Sequence, residues 1–416
     1  MTRRADALVI GAGPAGAAIA ILLARAGWEV ILVEQDPYPR GKVCGECIAA
    51  GSLSLLDELD VGAGLRAHGG PELRLLAWMS ERPTLIADFP ICATGPYRFG
   101  RALRREHLDQ LLVERAIAQG VVLHQPAKVR SVRAEAGGFQ CEIESDHAAQ
   151  RLTVHAATVI DAHGSWQRGP DVSGVDQRDT SRRRHRASDL FGFKAVFRHT
   201  TLTPGLLAVM ALPGGYGGMV IADQGLATLA CCLRRDTLSL CRTIQPRRPV
   251  GDAVESYLRE GCVGVREALE GAQRAGPWLA VGPLLSGVQR PAAGALFSVG
   301  NAAGETHPLV GEGIGMALQS ATLLADELTR ESPAMITARV ALNVQRRYRI
   351  ALHQAFSRRR RLAALYAHIA MRPHLARPAR ALFGRWPTLL TEAARLAGKA
   401  RSSPTPLSLR FKHEHT

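Results

Sequence analysis

Three glycines near the start of the chain have the spacing of a turn that binds dinucleotides. The segment GAGPAG at residues 11–16 follows a short apolar run and precedes an alanine- and leucine-rich stretch. Gly11 permits a tight turn, Gly13 lets the backbone approach a pyrophosphate, and Gly16 lets a helix and a strand pack closely. Glu34 ends a second apolar run, at the distance where an acidic side chain can bind ribose hydroxyls. The pattern predicts a dinucleotide bound at a helix N-terminus, with a coincidental glycine turn as the alternative.

A second glycine-rich segment, GNAAGETHPLVGEGI at residues 300–314, also comes between a short apolar run and a predicted helix. The N–H groups at the start of such a helix can stabilise negative charge on a heterocycle as it is reduced. His307, which precedes Pro308, is a candidate for handling a proton or orienting a substrate near that heterocycle. The alternative for His307 is a structural hydrogen bond.

Cys44 and Cys47 form a CxxC pair, the only one of its kind among eight scattered cysteines. A redox pair is one interpretation, but enzymes that use one generally carry a second nucleotide domain, and no second strand-turn-helix unit is evident here. The other interpretations are a turn beside the bound cofactor and inert packing. No role for Cys47 follows from the sequence. We expect reduced thiols, and neither paired CxxC sets nor HExxH predicts a metal site.

The net charge of +15 is concentrated at one end of the chain. Residues 331–416 contain 17 Lys and Arg against 3 Asp and Glu, whereas residues 1–330 contain 35 against 34. These counts predict a neutral body and a basic helical appendage at residues 331–416. The basic face is either solvated while the helices pack on the body, or attracted to an anionic membrane surface or an acidic partner. Nucleic acid is not expected, because no recognition module accompanies the charge.

The apolar periodicity predicts the elements that position these motifs. A helix is predicted over 103–119, with Leu108, Leu111, Leu112 and Ile117 facing inward. A separate, mostly antiparallel sheet is predicted between the nucleotide-binding segments and reads as a substrate platform, with Lys194 and Tyr216 as its polar groups. The remaining predicted elements are strands at 7–10, 29–33, 128–134, 139–144, 152–154, 158–161, 191–197, 206–212, 218–222, 227–233 and 296–299 and a helix over 338–366. Residues 178–186 are expected to form an exposed loop or a substrate lid, and residues 402–416 a loose tail.

Four motifs together resemble the FAD flavoproteins of the para-hydroxybenzoate hydroxylase structural class, particularly the branch with geranylgeranyl reductases, flavin monooxygenases and flavin halogenases. They are GAGPAG with Glu34, PRGKVCGE at 39–46, REHLD at 105–109 and GNAAGETHPLVGEGI at 300–314, spread over about residues 5–330. The resemblance implies an α/β fold with a Rossmann-like FAD-binding domain of the GR2 type. An inserted, mostly antiparallel β-sheet substrate domain and a helical C-terminal extension complete the implied architecture.

The implied segments are 1–75, 101–170 and 286–330 for the FAD-binding domain, 76–100 and 171–285 for the substrate domain, and 331–416 for the basic helical region. The resemblance implies FAD contacts from Gly11, Gly13, Ala15, Gly16, Glu34, Gln35, Arg40, Cys44, Gly45, Arg105, Val129, Gly300, Asn301, Pro308, Gly311, Gly313 and Ile314. His307, Pro308 and Cys44 are the implied catalytic positions. Three residues depart from the family pattern, since Asn301, His163 and His307 stand where relatives carry Asp.

The implied reaction is an FAD-dependent, NAD(P)H-using monooxygenation. It would hydroxylate or epoxidise an aromatic, polyketide-like or otherwise lipophilic small molecule through a flavin C4a-hydroperoxide. FAD would be bound tightly and without a covalent link, and NAD(P)H would be a transient donor. PRGKVCGE favours the alternative, a reductase of prenyl double bonds, although the aromatic signature of those reductases is not evident. A halogenase and a non-catalytic lipid carrier are lesser alternatives. No export signal or membrane-spanning run is evident, so we expect a cytoplasmic enzyme, with a peripheral membrane location as the alternative.

Overall fold

The structure is a computed structural model that describes residues 2–145, 151–164, 171–173, 186–284, 287–288 and 295–400. The predicted exposed loop, apart from Arg186, and the predicted tail at 402–416 lie outside the described residues, as do Ser165 and Trp166. No helix in the described ranges is both long enough and apolar enough to cross a bilayer.

The described strands are numbered β1 to β20 in chain order. They are Thr2–Ile10, Val30–Val33, Cys47–Ile48, Leu75–Met79, Leu85–Asp88, Arg101–Ala102, Val122–His124, Ala127–Glu135, Gly138–Ser145, Arg151–Asp161, Asp171–Ser173, Leu190–Arg198, Leu206–Leu212, Gly215–Ile221, Ala227–Arg234, Gln273–Arg274, Leu279–Val281, Gly287–Val288, Leu296–Ser298 and Gly304–Glu305. The α-helices α1 to α11 are Pro14–Arg25, Ala50–Glu58, Gly62–His68, Arg105–Ala118, Arg235–Ile244, Val250–Gly261, Val263–Ala268, Gly313–Leu328, Ala338–Ala370, Pro373–Arg385 and Thr388–Leu396.

The first sheet has the strand order β11-β8-β9-β10-β1-β2-β7, with β19 also paired to β10. β1 lies between β10 and β2 and is parallel to both, which places the glycine turn at the carboxyl end of a central strand. Such a position is where doubly wound sheets bind nucleotides. All of β2 and the part of β1 from Ala7 to Ile10 are buried, as their continuous apolar runs require. This sheet confirms the predicted Rossmann-like core.

The second sheet has the order β16-β12-β15-β14-β13-β4-β5, with β17 also paired to β12. It is antiparallel except where β13 runs parallel to β4, which confirms the predicted inserted sheet. Alternate residues along β13 face opposite sides. Met210 belongs to the same buried cluster as Val254 and Leu258 of α6, whereas Ala211 belongs to the cluster that contains Ala367 of α9 and Leu390 of α11. The platform therefore has a helix layer behind it and the C-terminal region in front.

The helix α4 confirms the predicted helix at 103–119 but not its whole inward face. Leu108 and Leu112 are fully buried and Leu111 is half-buried. Ile117 is 50% exposed, so its predicted inward position is wrong. The buried face follows Leu108, Leu112 and Ala116 at four-residue intervals, and Ile117 is rotated off that face by one residue.

The basic appendage packs on the body through the long helix α9. The hydroxyl of Tyr348 donates to the carbonyl of Ser298, and the guanidinium of Arg359 donates to Gln319 Oε1 at 3.0 Å. Both side chains are buried, together with the apolar residues Ala341 and Val344. These contacts support the interpretation in which α9 is part of the folded body, while the boundaries of the predicted segments stay predictions.

Candidate flavin and substrate site

The first glycine turn is shaped by contacts that only glycine allows. Gly11 has a φ of +98°, and a Cβ there would lie 2.6 Å from the carbonyl oxygen of Ala162. A Cβ on Gly16 would lie 1.8 Å from the carbonyl oxygen of Gly11. Both distances are far below a van der Waals contact, so the turn and the close packing predicted for these residues are present.

Gly13 differs from the other two glycines because no backbone lies over it. A Cβ there would first meet Arg105 Nη2 at 3.4 Å and Arg40 Nη2 at 3.8 Å. Gly13 is also the N-cap of α1, whose first N–H groups receive no side-chain cap. Two guanidiniums and a helix N-terminus thus border the space above Gly13, and this arrangement fits a pyrophosphate.

The two arginines are held in place by buried carboxylates. Arg105 makes a bidentate pair with Asp109, with both N···O distances at 2.7 Å, and Arg40 Nη1 lies 2.8 Å from Glu34 Oε1. Burial lowers the pKa of Arg105, but the adjacent Asp109 outweighs it and the net pKa is raised. Arg105 therefore stays charged, as a phosphate ligand must.

Glu34 is more deeply buried than its predicted contact with ribose suggests. It is 2% exposed, and its oxygens accept from the N–H groups of Ala12 and Asp36 as well as from Arg40. Gln35, the next residue, is half-buried, and the Val129 side chain lies in the core. The cofactor contacts proposed for these three residues stay predictions.

The second glycine-rich segment meets the first one. Gly300 has a φ of +62°, and its N–H donates to Ser320 Oγ at 2.8 Å. A Cβ on Gly300 would lie 2.9 Å from Cβ of Ala15 in the first turn of α1. The loop with Asn301 therefore abuts the phosphate-binding turn, which brings together two sets of predicted cofactor ligands almost 300 residues apart.

The chain then forms a short 3₁₀ turn at Pro308–Val310 and enters α8. Gly311 has a φ of +58°, which the turn requires, and the N-terminus of α8 has no side-chain cap. A Cβ on Gly313 would meet nothing within 4 Å, whereas the Ile314 side chain is buried. The start of α8 thus offers open N–H groups beside the 3₁₀ turn, as the predicted stabilisation of a reduced heterocycle needs.

Glu46, which follows the Cys44–Gly45 turn, forms polar contacts with the second sheet. Its buried carboxylate pairs with Lys194 and accepts from the hydroxyl of Thr228, and it also accepts from the N–H of Arg105 at 3.2 Å. Glu46 itself has a φ of +59°, an uncommon conformation for its residue type. Burial raises the pKa of Glu46 and Lys194 opposes that rise. Lys194 is 1% exposed and belongs to this ion pair, so its expected place as a polar group of the substrate platform is wrong.

An apolar cavity of about 210 Å³ separates this turn from the C-terminal helices. Its walls are the Cys44–Gly45 turn, the 3₁₀ turn with Pro308, the face of the second sheet, and parts of α9, α10 and α11. Gly217 and Gly218 leave the sheet face without side chains at this point. The cavity reaches both segments that are predicted to contact the flavin.

His307 lies beside the sheet face of the cavity. Its Nδ1 is 3.2 Å from the hydroxyl oxygen of Tyr216, which lines the cavity. Tyr216 also hydrogen-bonds Cys232. The hydroxyl of Tyr216 therefore lies between His307 Nδ1 and the Cys232 sulfur, and the other ring nitrogen of His307, Nε2, is not part of this contact. Burial lowers the pKa of His307, so the ring is neutral at pH 7.

Cys44 and Cys47 are free thiols in the structure. Burial raises the pKa of both thiols, which disfavours the reactive thiolate. His163, at the other departure from the family pattern, pairs with Asp161 next to the first glycine turn. Burial lowers the pKa of His163, but Asp161 outweighs that effect and the net pKa is raised. No cluster of metal-ligating side chains occurs in the described part of the chain.

Lys399 is a site residue that sequence reasoning missed. It is 4% exposed and lines the cavity, and its ammonium donates to the carbonyl of Gly311 at 3.0 Å. Cys47 Sγ and Glu312 Oε1 each lie 3.4 Å from the same ammonium. The only hint in the sequence is that lysine is rare. Lys399 is one of five lysines, and all the other Lys and Arg positions are arginines.

Known proteins share this architecture. The model of the FAD binding domain family matches residues 4–194. A menaquinone reductase of Mycolicibacterium smegmatis is 28% identical over 96% of this chain and 92% of its own length, and a 6-methylpretetramide 4-monooxygenase of Streptomyces rimosus is 30% identical over 41% of each chain. Among solved structures, the myxobacterial chondrochloren halogenase CndH superposes with a TM-score of 0.72 at 21% identity, over 85% of this chain and 81% of its own. A geranylgeranyl bacteriochlorophyll reductase-like protein of Thermoplasma acidophilum superposes with a TM-score of 0.69 at 18% identity, over 95% of this chain and all of its own.

The glycine turns, the two arginines above Gly13 and the family match lead to the same cofactor. Residues 4–194 match the model of the FAD binding domain family, and the chain shares the fold of known flavoproteins, in keeping with an FAD-dependent oxidoreductase.

Proposed function

We propose that this flavoprotein is an NAD(P)H-using monooxygenase that hydroxylates or epoxidises a lipophilic aromatic or polyketide-like molecule. The observation that carries the proposal is the apolar cavity, which extends from the Cys44–Gly45 and Pro308–Gly311 segments to the C-terminal helices. A substrate in this cavity would place one end at the flavin and its apolar remainder against the sheet and α9 to α11.

The cavity walls bind such a substrate and keep water out. Trp78, Leu207, Leu284 and Phe383 are among the large apolar side chains that line it. Removing apolar surface from water favours binding by about 25 cal/mol per Å². A dry site also protects oxygen chemistry from hydrolysis and proton leakage. The walls therefore select by apolarity and shape, with few polar groups to fix orientation.

His307 supplies the proton acceptor. Its Nδ1 contacts the hydroxyl of Tyr216, and Nε2 is the nitrogen that would take a proton from a substrate hydroxyl. Tyr216 orients the ring, and burial lowers the pKa of His307, which favours the neutral ring that a proton acceptor needs. Removing that proton makes an aromatic ring more electron-rich, which favours attack on an electrophilic oxygen.

FAD, when bound, supplies the reduction of dioxygen and the transfer of one oxygen atom. The residues that would hold it are those that border the space above Gly13 and the open N-terminus of α8. Arg40 and Arg105 would bind the pyrophosphate, Gly300 and Asn301 would meet the ribityl chain, and Gly311 and Gly313 would approach the pyrimidine edge. NAD(P)H would bind transiently. The experiment that follows compares NADH with NADPH as the donor.

The test is product analysis with the purified holoenzyme, NADH or NADPH, and isotopically labelled dioxygen. Long-chain phenols and other lipophilic aromatics are the substrates to offer. A product that gains the mass of one labelled oxygen atom would support the proposal. Consumption of the nicotinamide with release of hydrogen peroxide only, for every substrate of this class, would contradict it.

A reductase of isoprenoid double bonds is the second candidate. The specific observation in its favour is that the menaquinone reductase of Mycolicibacterium smegmatis matches almost the whole chain, whereas the monooxygenase of Streptomyces rimosus matches less than half. The same cavity would hold a prenyl chain. Reduction under anaerobic conditions, with a mass gain of two hydrogen atoms, would favour this candidate over oxygen transfer.

A further inference from the structure

The cavity is covered by the two helices α10 and α11. Phe383 of α10 and Leu390 of α11 line the cavity from this side. The ring of Phe383 meets that of Trp78 edge-on, with centroids 5.4 Å apart. The inner faces of both helices are therefore apolar because they form part of the substrate wall.

The outer side of the same helices is also apolar where they join. Leu382, Trp386 and Leu389 are 45%, 53% and 38% exposed. The N–H of Trp386 donates to the carbonyl of Leu382, and the N–H of Leu389 donates to that of Trp386, so the backbone links the three residues across the junction of α10 and α11. We call these three residues the apolar corner. A surface helix ordinarily carries polar residues on its outer side, and a cluster of large exposed apolar side chains indicates an interaction surface.

The C-terminal region that carries the apolar corner is rich in basic residues. Residues 338–400 contain 14 Lys and Arg and a single acidic residue, Glu392. The guanidinium carbon of Arg385 lies 5.9 Å from the centre of the Trp386 ring, and Arg385 forms no ion pair with any described residue. Trp and Leu beside an arginine without an ion pair suit the boundary between lipid headgroups and acyl chains. Two copies of this chain would bring like charges together, which disfavours a dimer through the same face.

We propose that the apolar corner docks on the surface of an anionic lipid bilayer. Leu382, Trp386 and Leu389 insert at the headgroup boundary, and Arg385 contacts lipid phosphates. Because the inner faces of α10 and α11 wall the cavity, docking places the cavity next to the bilayer, where a lipophilic substrate accumulates. This last consequence rests on the proposed function, whereas the docking itself does not.

The experiment is vesicle flotation of the FAD-loaded protein without substrate. Vesicles of phosphatidylcholine with phosphatidylglycerol are compared with vesicles of phosphatidylcholine alone, at low and high salt. We expect binding to the anionic vesicles that weakens with salt. The variant L382S/W386S/L389S should lower the vesicle partition coefficient by roughly tenfold or more. The matched control L240S/I244S removes two exposed apolar side chains of α5 and should bind like the unsubstituted protein.

Flavin absorbance and melting temperature report whether each variant is folded. If the triple variant loses FAD, the single exposed substitution Arg385→Glu replaces it and should also weaken binding to anionic vesicles. Equal partition of the corner variants and the control, or no binding to anionic vesicles, would overturn the proposal. A concentration-dependent dimer that the corner substitutions abolish would overturn it in favour of self-association. Since no substrate is present, an error in the proposed reaction would leave all of these outcomes unchanged.

Discussion

The ammonium of Lys399 donates a hydrogen bond of 3.0 Å to the carbonyl of Gly311, across 88 residues of chain. Gly311 ends the 3₁₀ turn that is predicted to approach the flavin, and Lys399 follows the last described helix. The contact ties the C-terminal region directly to the flavin loop, with Glu312 as the counter-charge 3.4 Å away. The C-terminal region is thus tied to the loop that is predicted to contact the flavin, and its helices form part of the cavity wall.

Replacing Lys399 with Met is expected to destabilise the protein by about 3–5 kcal/mol, because the buried Glu312 carboxylate loses its nearest cation. Urea denaturation of the purified variant measures this change. The double variant K399M/E312Q should recover a large part of the loss. The exposed pair Arg395 and Glu392 provides the control, since Arg395→Met should cost no more than about 1 kcal/mol. Equal losses for Lys399→Met and Arg395→Met would contradict a buried ion pair.

Replacing Gly13 with Val is expected to abolish retention of FAD. The new side chain would fill the space between Arg40 and Arg105 where the pyrophosphate is predicted to bind. The ratio of flavin to protein absorbance after purification checks this outcome. Gly261→Val is the control, because the nearest atom to a Cβ there lies 4.0 Å away and outside the site. Normal flavin content in Gly13→Val would exclude the pyrophosphate position assigned to this turn.

Replacing His307 with Ala is expected to lower kcat by roughly 10²- to 10⁴-fold while FAD stays bound, which is the range for removal of a general base. Burial lowers the pKa of His307 below its ordinary value of about 6.5. The neutral ring, which is the active form, is therefore lost only as the pH falls below this lowered pKa. We expect kcat to decline on the acid side for that reason. The variant should lack this acidic limb. A pH profile of kcat that is the same in both proteins would reduce His307 to a structural role.

Replacing both Cys44 and Cys47 with Ser is expected to leave nicotinamide-driven turnover largely intact. Both thiols are free in the structure, and their raised pKa values oppose the thiolate that disulfide exchange requires. Steady-state kinetics measure the effect, with Cys241→Ser on α5 as a control for a cysteine outside the site. Loss of turnover together with retained FAD in the double variant would instead point to a redox pair.

The sequence predicts the contacts that are local in the chain. The turn at Gly11 to Gly16, the strand that ends at Glu34 and the start of α8 each follow from spacing, because neighbouring residues determine them. The family pattern also placed Arg40 and Arg105 at the phosphate site, where the structure brings both guanidiniums close to Gly13.

Contacts between distant segments could not be predicted in the same way. The sequence predicts Lys194 as a polar group of the substrate platform, but in the structure Lys194 forms an ion pair with Glu46, which is 148 residues away. The pairing of His307 with Tyr216 depends on how the second sheet packs against the flavin loop. Ile117 is half exposed, because it lies one residue beyond the buried face that Leu108, Leu112 and Ala116 form. These outcomes depend on tertiary packing, which residue spacing does not record.

The order of synthesis determines which walls of the cavity form first. The strands and loops that hold FAD and the floor of the cavity emerge from the ribosome before α10 and α11 do, and N-terminal regions fold first during synthesis. During that interval the floor formed by Gly217, Gly218 and Tyr216 lies open on the side that the two helices later cover. The FAD-binding segments and the cavity floor can therefore fold before α10 and α11 add the last wall of the cavity.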